Sequence, residues 1–233
     1  MDKDIYKLAK DFPTWGSIME NAKSSNSDGI TGNCNSFEAA KFKNFDHSVQ
    51  KICKQAENYT STIESTYWER LNQSKFSCIY LYYWLYYYNN NKNMGHIKSL
   101  FHEFLETIDT SHKNICSESA YTTITDDEMQ KLKDLHDMYT KLNNIENNTT
   151  SFDDKCSCAN ECAISYMKYK NPCESNSFSD FCNELKNVRE KYNALRALRR
   201  KRNKWNNIDE NYNIFQSYKN ESNASMKRRH HIL

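Results

Sequence analysis

The sequence predicts an all-α fold: a single helical bundle domain that is stapled by disulfide bonds and followed by a flexible basic C-terminal tail. Three observations support this prediction. Only four glycines and two prolines occur in 233 residues, so few segments have a reason to stop being helical. Apolar residues recur at helical spacing along most of the chain. Nine cysteines are present, and thiols at this density are rarely carried for packing alone.

The composition indicates a thin core that depends on aromatic residues. Apolar residues make up 38% of the chain and the mean hydropathy is −0.95, whereas 16 Tyr, 11 Phe and 4 Trp are available for packing. Disulfide bonds would compensate for the small apolar core, because they lower the conformational entropy of the unfolded chain. The net charge is +2, which is too balanced for the whole protein to be a nucleic-acid or membrane-surface binder.

The amino-terminal segment is predicted to form one or two short helices. Residues 1–22 carry the pattern, and we expect the helices to break at Pro13 and Gly16. The polar stretch at residues 23–34 contains two glycines and is predicted to be a loop. From Ser36 onward, apolar residues at steps of three and four predict the next helix.

Residues 57–74 are polar and are also predicted to be helical. An aromatic segment follows them. The run Cys78–Tyr88 reads CIYLYYWLYYY and is apolar on all sides, so it predicts a buried central helix. It is too short to cross a membrane, which takes about 20 apolar residues. A platform for stacking a ligand is the alternative, but core packing is the usual role of such a stripe. The core positions are Tyr80, Leu81, Tyr83, Trp84 and Leu85.

Two further helices are predicted in the middle of the chain. Gly95 opens an amphipathic helix that extends to Ile108, and a loop at residues 109–124 follows it. Thr125 and Glu128 have the spacing of a capping box, which predicts that a helix begins there.

The last third is predicted to hold two helices after a polar connection at residues 143–155. The first covers residues 156–170 and is closed by Asn171 and Pro172. The second begins near Ser177 or Ser179 and loses its pattern from Arg196 onward. Overall, the domain is predicted to span residues 1–205, with its core at about 36–200, and residues 206–233 are predicted to be a disordered polar tail.

The cysteines are predicted to form disulfide bonds in an oxidising compartment. Five of them lie between Cys156 and Cys182, with no histidine among them and without the two close pairs of a structural zinc site. A zinc-stabilised module remains an alternative. Cys158 and Cys162 lie one helical turn apart, so each is better placed to bond to another element. The number of cysteines is odd, and the sequence does not determine which of them pair. The candidates are Cys34, Cys53, Cys78, Cys116, Cys156, Cys158, Cys162, Cys173 and Cys182.

A basic run near the C-terminus is a possible binding patch. It could serve as a nuclear signal or contact nucleic acid or anionic lipid. We prefer a solvated helix end, where cations oppose the helix dipole, and expect no nucleic-acid partner. The run comprises Arg196, Arg199, Arg200, Lys201 and Arg202.

No motif for catalysis, cofactor binding or export is recognisable. The sequence has no glycine-rich phosphate loop and no HExxH among its seven histidines, so we predict no enzyme activity and no cofactor. The first ten residues show no apolar segment of a signal peptide, and no membrane anchor is visible in the sequence. Six glycosylation sequons occur, which we attribute to the asparagine-rich composition.

Three segments resemble a known family. The Cys78–Tyr88 run is similar to the C-x-YL-x-YWLY segment of the Plasmodium interspersed repeat superfamily, in particular its Vir branch. MQKLKDLHDMYTKL at residues 129–142 is similar to the family's LYDLY helix. The stretch from Cys156 to Tyr192, with CESNSFSDFCNEL and KYN, resembles the cysteine-rich hairpin that follows. The resemblance extends from about Cys34 to Trp205.

This resemblance implies a mostly helical variant antigen of malaria-infected red cells. It implies export to the infected erythrocyte, roles in antigenic variation, cytoadhesion or immune evasion, and binding to a host cell-surface receptor or antibody. Typical members carry a transmembrane segment near the C-terminus, which this sequence does not show. The predicted loops would carry variation and contacts. The alternative is an intracellular or nuclear interaction protein that uses the basic run and keeps its thiols reduced.

Overall fold

A computed structural model of the chain confirms the all-α prediction for the part that it describes. The described residues are 4–24, 34, 49–67, 71–88, 94–107, 116, 123–147, 152–175 and 179–200. They form helices and contain no β-strand. The helices are a 3-10 helix at Asp4–Lys10, α1 at Phe12–Ser24, α2 at Val49–Tyr67, α3 at Leu71–Tyr88, α4 at Met94–Thr107, α5 at Asp126–Glu146, α6 at Phe152–Ser175 and α7 at Asp180–Arg200.

The chain divides into two compact units. The first, which we call the aromatic unit, comprises Asp11–Gln130, and the second, the three-helix unit, comprises Met1–Lys10 together with Lys131–Leu233. The predicted single domain at residues 1–205 stays a prediction. Of the predicted loop at 23–34, residues 23 and 24 belong to the end of α1, and residues 25–33 lie outside the described residues. The predicted tail at 206–233 also lies outside them.

Helix α1 runs through both residues that were expected to break it. Pro13 lies in its first turn, where backbone N–H groups have no partner within the helix and a proline is tolerated. The carbonyl of Asp11 accepts hydrogen bonds from the N–H groups of Thr14 (3.0 Å) and Trp15 (3.2 Å). Gly16 gives room to a neighbour, since a Cβ there would lie 3.0 Å from the Tyr80 hydroxyl. The boundary between the 3-10 helix and α1 is therefore at Asp11, and neither Pro13 nor Gly16 interrupts α1.

Helix α2 lies against α1 and α3 through one apolar face. Ile52, Ala56, Tyr59 and Ile63 of this face are buried. Two polar side chains of α2 also contact the end of α1: the Gln55 amide donates to the Met19 carbonyl (2.9 Å) and the Asn58 amide to the Ala22 carbonyl (3.2 Å). Ala22 lies in the last turn of α1, where carbonyls need a partner from outside the helix.

Helix α3 is the centre of the aromatic unit. It contacts α1, α2 and α4, and every residue from Ser77 to Tyr86 is buried. Such all-round burial is what a helix without a polar face requires. Helix α4 packs the predicted apolar face, including Ile97 and Phe104, against its neighbours.

Helix α5 begins at the predicted capping box. The Thr125 N–H donates to Glu128 Oε2 (2.8 Å), and the Glu128 N–H donates to Thr125 Oγ1 (3.3 Å). Asp126, Asp127 and Glu128 place negative charge in the first turn, where it interacts favourably with the positive end of the helix dipole. The capping-box prediction is confirmed.

In the three-helix unit, α6 runs antiparallel to α5, whereas α7 runs parallel to α5. Asp134, early in α5, contacts Lys168, late in α6, whereas Lys141 pairs with Glu161. Lys191 of α7 bonds Asn143 and Glu146 near the end of α5. The 3-10 helix lies against α7, with the rings of Tyr6 and Phe181 5.3 Å apart.

Two predictions about the bounds of α5 and α6 need correction. Pro172 does not end α6, which continues to Ser175. The predicted polar connection at residues 143–155 is helical at both ends, since α5 continues to Glu146 and α6 begins at Phe152. The start of α7 is as predicted: the Ser179 hydroxyl accepts a hydrogen bond from the Cys182 N–H (3.2 Å) and caps the helix.

Candidate functional site

Six of the nine candidate cysteines form three disulfide bonds, all with Cα–Cα distances that suit a bridge. Cys34–Cys53 (5.6 Å) and Cys78–Cys116 (5.5 Å) lie in the aromatic unit, and Cys173–Cys182 (5.4 Å) lies in the three-helix unit. The first holds Cys34 against α2, the second holds Cys116 against the central helix α3, and the third joins the last turn of α6 to the first turn of α7. Each bond therefore fixes a chain segment to a helix.

Two of the candidate cysteines are thiols in the structure. Cys158 is half-buried and Cys162 is fully buried. The expectation that each would bond to another element is wrong for this pair. Burial raises the pKa of the Cys162 thiol to about 12, which leaves it protonated and unreactive at neutral pH. The side chain of Cys156 lies outside the described residues.

The aromatic positions of α3 form a packed cluster and do not form an open platform. Tyr80, Leu81, Tyr83, Trp84 and Leu85 are all buried. The Phe12 ring lies 5.1 Å from that of Tyr80 and 4.9 Å from that of Tyr83, in the tilted and edge-on arrangements that aromatic rings prefer. The core-packing interpretation therefore holds for these residues.

The tyrosine hydroxyls at the flanks of this cluster reach polar partners. Tyr86 donates to the Asp126 carboxylate (2.8 Å), and Tyr87 donates to the Met129 carbonyl (3.0 Å). Burial, together with the bond to Asp126, raises the pKa of Tyr86 to about 12. Burial also raises the pKa of Tyr80 well above its usual value. Tyr80 and Tyr86 therefore stay protonated at neutral pH. The hydrogen bonds of Tyr86 and Tyr87 connect α3 to the start of α5.

Of the predicted basic patch, the structure describes the side chain of Arg196 alone. Arg196 is buried, so it does not belong to an exposed cationic surface. Arg199 and Arg200 end α7, and their side chains, like Lys201 and Arg202, lie outside the described residues. In the described part of the chain, the structure offers no support for a basic run that includes Arg196.

A polar network between α5 and its neighbours could not be found from spacing. Asp134 accepts hydrogen bonds from the Lys168 ammonium (2.7 Å) and the Tyr169 hydroxyl (2.6 Å). The Tyr139 hydroxyl bonds the buried carboxylate of Glu184. These residues are far apart in sequence, and no local signal predicts that they meet. They hold the three helices in register.

A half-buried histidine lies on α5. Burial lowers the pKa of His136 to about 4; Lys133 acts in the same direction, and Asp137 opposes it. His136 is therefore neutral at pH 7 and faces a penalty when it is protonated.

Side chains that could bind a metal ion are dispersed among the described residues. Across these residues, no three His, Cys, Asp or Glu side chains come together in a group that could hold a metal ion. Nor is any described helix long and apolar enough to pass through a bilayer. What the structure does provide is two helical units, each with at least one disulfide bond, of which the aromatic unit contains the buried helix α3.

Comparison with known proteins identifies one family. A family model described as Plasmodium vivax Vir protein matches residues 5–196, which is most of the chain. No curated protein and no solved structure is detectably similar to it. The match covers α3 and all three disulfide bonds.

Proposed function

Because the chain belongs to the Plasmodium Vir family, a family of variant antigens, we propose that it acts as a non-enzymatic variant surface antigen of infected red cells. In this role it is exported into the infected erythrocyte or exposed on its surface. There it binds a host cell-surface protein or an antibody and takes part in antigenic variation and immune evasion.

The observation that carries the proposal is the family match together with three disulfide bonds. Disulfides persist outside the reducing cytosol and are rare inside it. A chain whose scaffold depends on them suits an exported protein. This also favours the antigen over an intracellular protein that keeps its thiols reduced.

The distribution of residues between core and surface suits an antigen that varies. The recognisable aromatic segment is buried in α3, so it is hidden from antibodies and receptors. Exposed positions, such as Asn160 and Asn171 of α6, can change with little effect on stability. Surface variation and a constant fold are therefore compatible.

The contact surface would be formed by exposed helix faces and by the connections between helices. The predicted loops at 23–34, 109–124 and 143–155 carry much of this role in our proposal. Most of the first two lies outside the described residues, and the third reduces to the residues between α5 and α6.

Cell binding and serum recognition test the proposal. The full chain with its native disulfides is multimerised and applied to host red cells and endothelial cells, and is tested against antibodies from exposed individuals. A reduced and alkylated sample is the matched control, since it keeps the sequence and loses the fold. We expect recognition of the native sample only. Equal signals from both samples, or none from either, would contradict a folded adhesive antigen.

Localisation is tested separately on intact infected red cells. A membrane-impermeant protein label, followed by capture of this chain, reports surface exposure, and fractionation of the host cell reports export. Retention of the whole population inside the parasite cytoplasm would contradict the proposal.

A further inference from the structure

Two exposed apolar side chains lie one turn apart on α6. Among the residues that the structure describes, the large apolar side chains with high exposure are Ile164 (61%), Met167 (38%) and Leu198 (59%). Single exposed apolar residues are normal on a soluble protein. Ile164 and Met167 differ from Leu198 because they share one helix face.

That face forms a regular stripe with an apolar centre and polar ends. Its members are separated by steps of three and four and all are exposed, so they occupy one side of the helix. We call it the α6 stripe, and it consists of Ser157, Asn160, Ile164, Met167, Asn171 and Glu174.

Opposite charges flank the centre of the α6 stripe. Glu161 lies toward the N-terminal side and Lys168 toward the C-terminal side, and their side chains are 52% and 56% exposed. Each makes an ion pair inside its own chain, Glu161 with Lys141 (3.0 Å) and Lys168 with Asp134 (2.7 Å). About half of each side chain still faces outward.

This pattern is complementary to itself when two helices run antiparallel. Around a two-fold axis midway between Ile164 and Met167, the N-terminal end of one stripe faces the C-terminal end of the other. The apolar centres then meet, and Glu161 lies near Lys168 of the partner subunit, a contact that the symmetry makes twice. A parallel two-fold arrangement would instead leave Glu161 and Lys168 on opposite sides of the interface from their counterparts, so this charge contact would not form.

We propose that the α6 stripe is a self-association surface through which two copies of this chain form an antiparallel, two-fold symmetric dimer. The apolar centre is small, so the dimer is weak, with a Kd on the order of 100 μM. Weak pairing of this kind raises the avidity of a binding protein when many copies are close together.

Sedimentation of the full chain at increasing concentration tests the surface. Ile164→Glu puts a charge at the apolar centre without disturbing the fold, since the side chain is already exposed, and we expect the Kd to rise by about tenfold. Leu198→Glu is the matched control: it makes the same kind of change at equal exposure on α7. We expect it to leave the Kd unchanged.

Charge reversal tests the antiparallel arrangement itself. Glu161→Lys and Lys168→Glu each place like charges across the dimer, and each should weaken self-association by about fivefold. A mixture of the two variants restores opposite charges in both contacts, so the mixed dimer should recover the wild-type Kd. Damage within one chain could not be repaired by mixing.

Three results would overturn the proposal. The first is a wild-type chain that stays monomeric at about 1 mM, well above the Kd expected for so small an interface. The second is an equal loss of dimer with Ile164→Glu and Leu198→Glu. The third is a mixture of the charge variants that associates no better than either alone. If the chain is monomeric and Ile164→Glu instead abolishes binding to host cells, the stripe is a contact for a host protein.

Discussion

Removal of the Cys78–Cys116 bond is expected to destabilise the aromatic unit strongly. The bond joins residues 38 apart in sequence, whereas Cys34–Cys53 joins residues 19 apart. Loop-closure entropy then gives about 3.9 kcal/mol for the first bond and about 3.2 kcal/mol for the second at 25 °C. Each pair is replaced by alanine, and the free energy of unfolding is measured in urea.

Tryptophan fluorescence can report this unit alone. Trp15, Trp68 and Trp84 fall within Asp11–Gln130, and the fourth tryptophan, Trp205, can be removed by Trp205→Phe. Cys78 and Cys53 are both buried, so each double variant also loses packed sulfur.

Cys162→Ala is the control for that packing loss, because Cys162 is a fully buried thiol outside any bond. It should cost about 1 kcal/mol, measured by circular dichroism because it lies in the three-helix unit. If the Cys78→Ala/Cys116→Ala variant loses no more stability than this control, the bond does not hold the scaffold and the reasoning fails.

Three more predictions concern single side chains. Gly16→Ala should lower stability by about 1 kcal/mol, because the new Cβ would lie 3.0 Å from the hydroxyl of the tightly packed Tyr80; in a Tyr80→Phe background the same change should stabilise by about 1 kcal/mol through helix propensity, and stabilisation in both backgrounds would contradict the close contact. The folded chain holds His136 neutral, with a pKa of about 4, so the unfolded chain takes up the proton first as pH falls below about 6.5, and stability should be about 2 kcal/mol lower at pH 5 than at pH 7. Urea titrations at both pH values check this, and His136→Gln should reduce the difference; an unchanged difference would rule the histidine out as its source. Tyr139→Phe removes a hydrogen-bond donor from the buried Glu184 carboxylate and should cost about 2 kcal/mol, whereas the double variant with Glu184→Leu should recover part of this loss, and additive losses would argue against the bond.

Two features of the fold could be predicted from short stretches of sequence: the start of α5 and the buried centre of α3. The capping box of Thr125 and Glu128 fixed the start of α5 correctly, because both partners lie within one helical turn. The buried centre of α3 was also predictable, since a helix that is apolar on all sides has to be enclosed.

Tertiary constraints explain the boundaries that were wrong. A proline normally ends a helix, yet α6 passes Pro172 and ends at Ser175. The next residue, Cys173, is bonded to Cys182 of α7, and the Ser175 hydroxyl donates to the Pro172 carbonyl (2.9 Å). These contacts hold the final turn against local propensity.

The site was less predictable than the fold. Which cysteines pair is decided by where helices meet in space, so spacing placed Cys158 and Cys162 among the candidates although both are thiols. Arg196 was wrongly assigned to the basic run for a similar reason, because its burial follows from how α7 packs. The resemblance of the aromatic segment to the Vir family, in contrast, was already legible in the sequence and agrees with the family match over residues 5–196.

The most direct test is a disulfide map of the native chain taken from infected red cells, with free thiols blocked at lysis before digestion and mass spectrometry. We expect linked peptides for Cys34–Cys53, Cys78–Cys116 and Cys173–Cys182, with Cys162 recovered as a thiol. Recovery of these six cysteines as blocked thiols would contradict both the sulfur-bridged scaffold and its place outside the reducing cytosol.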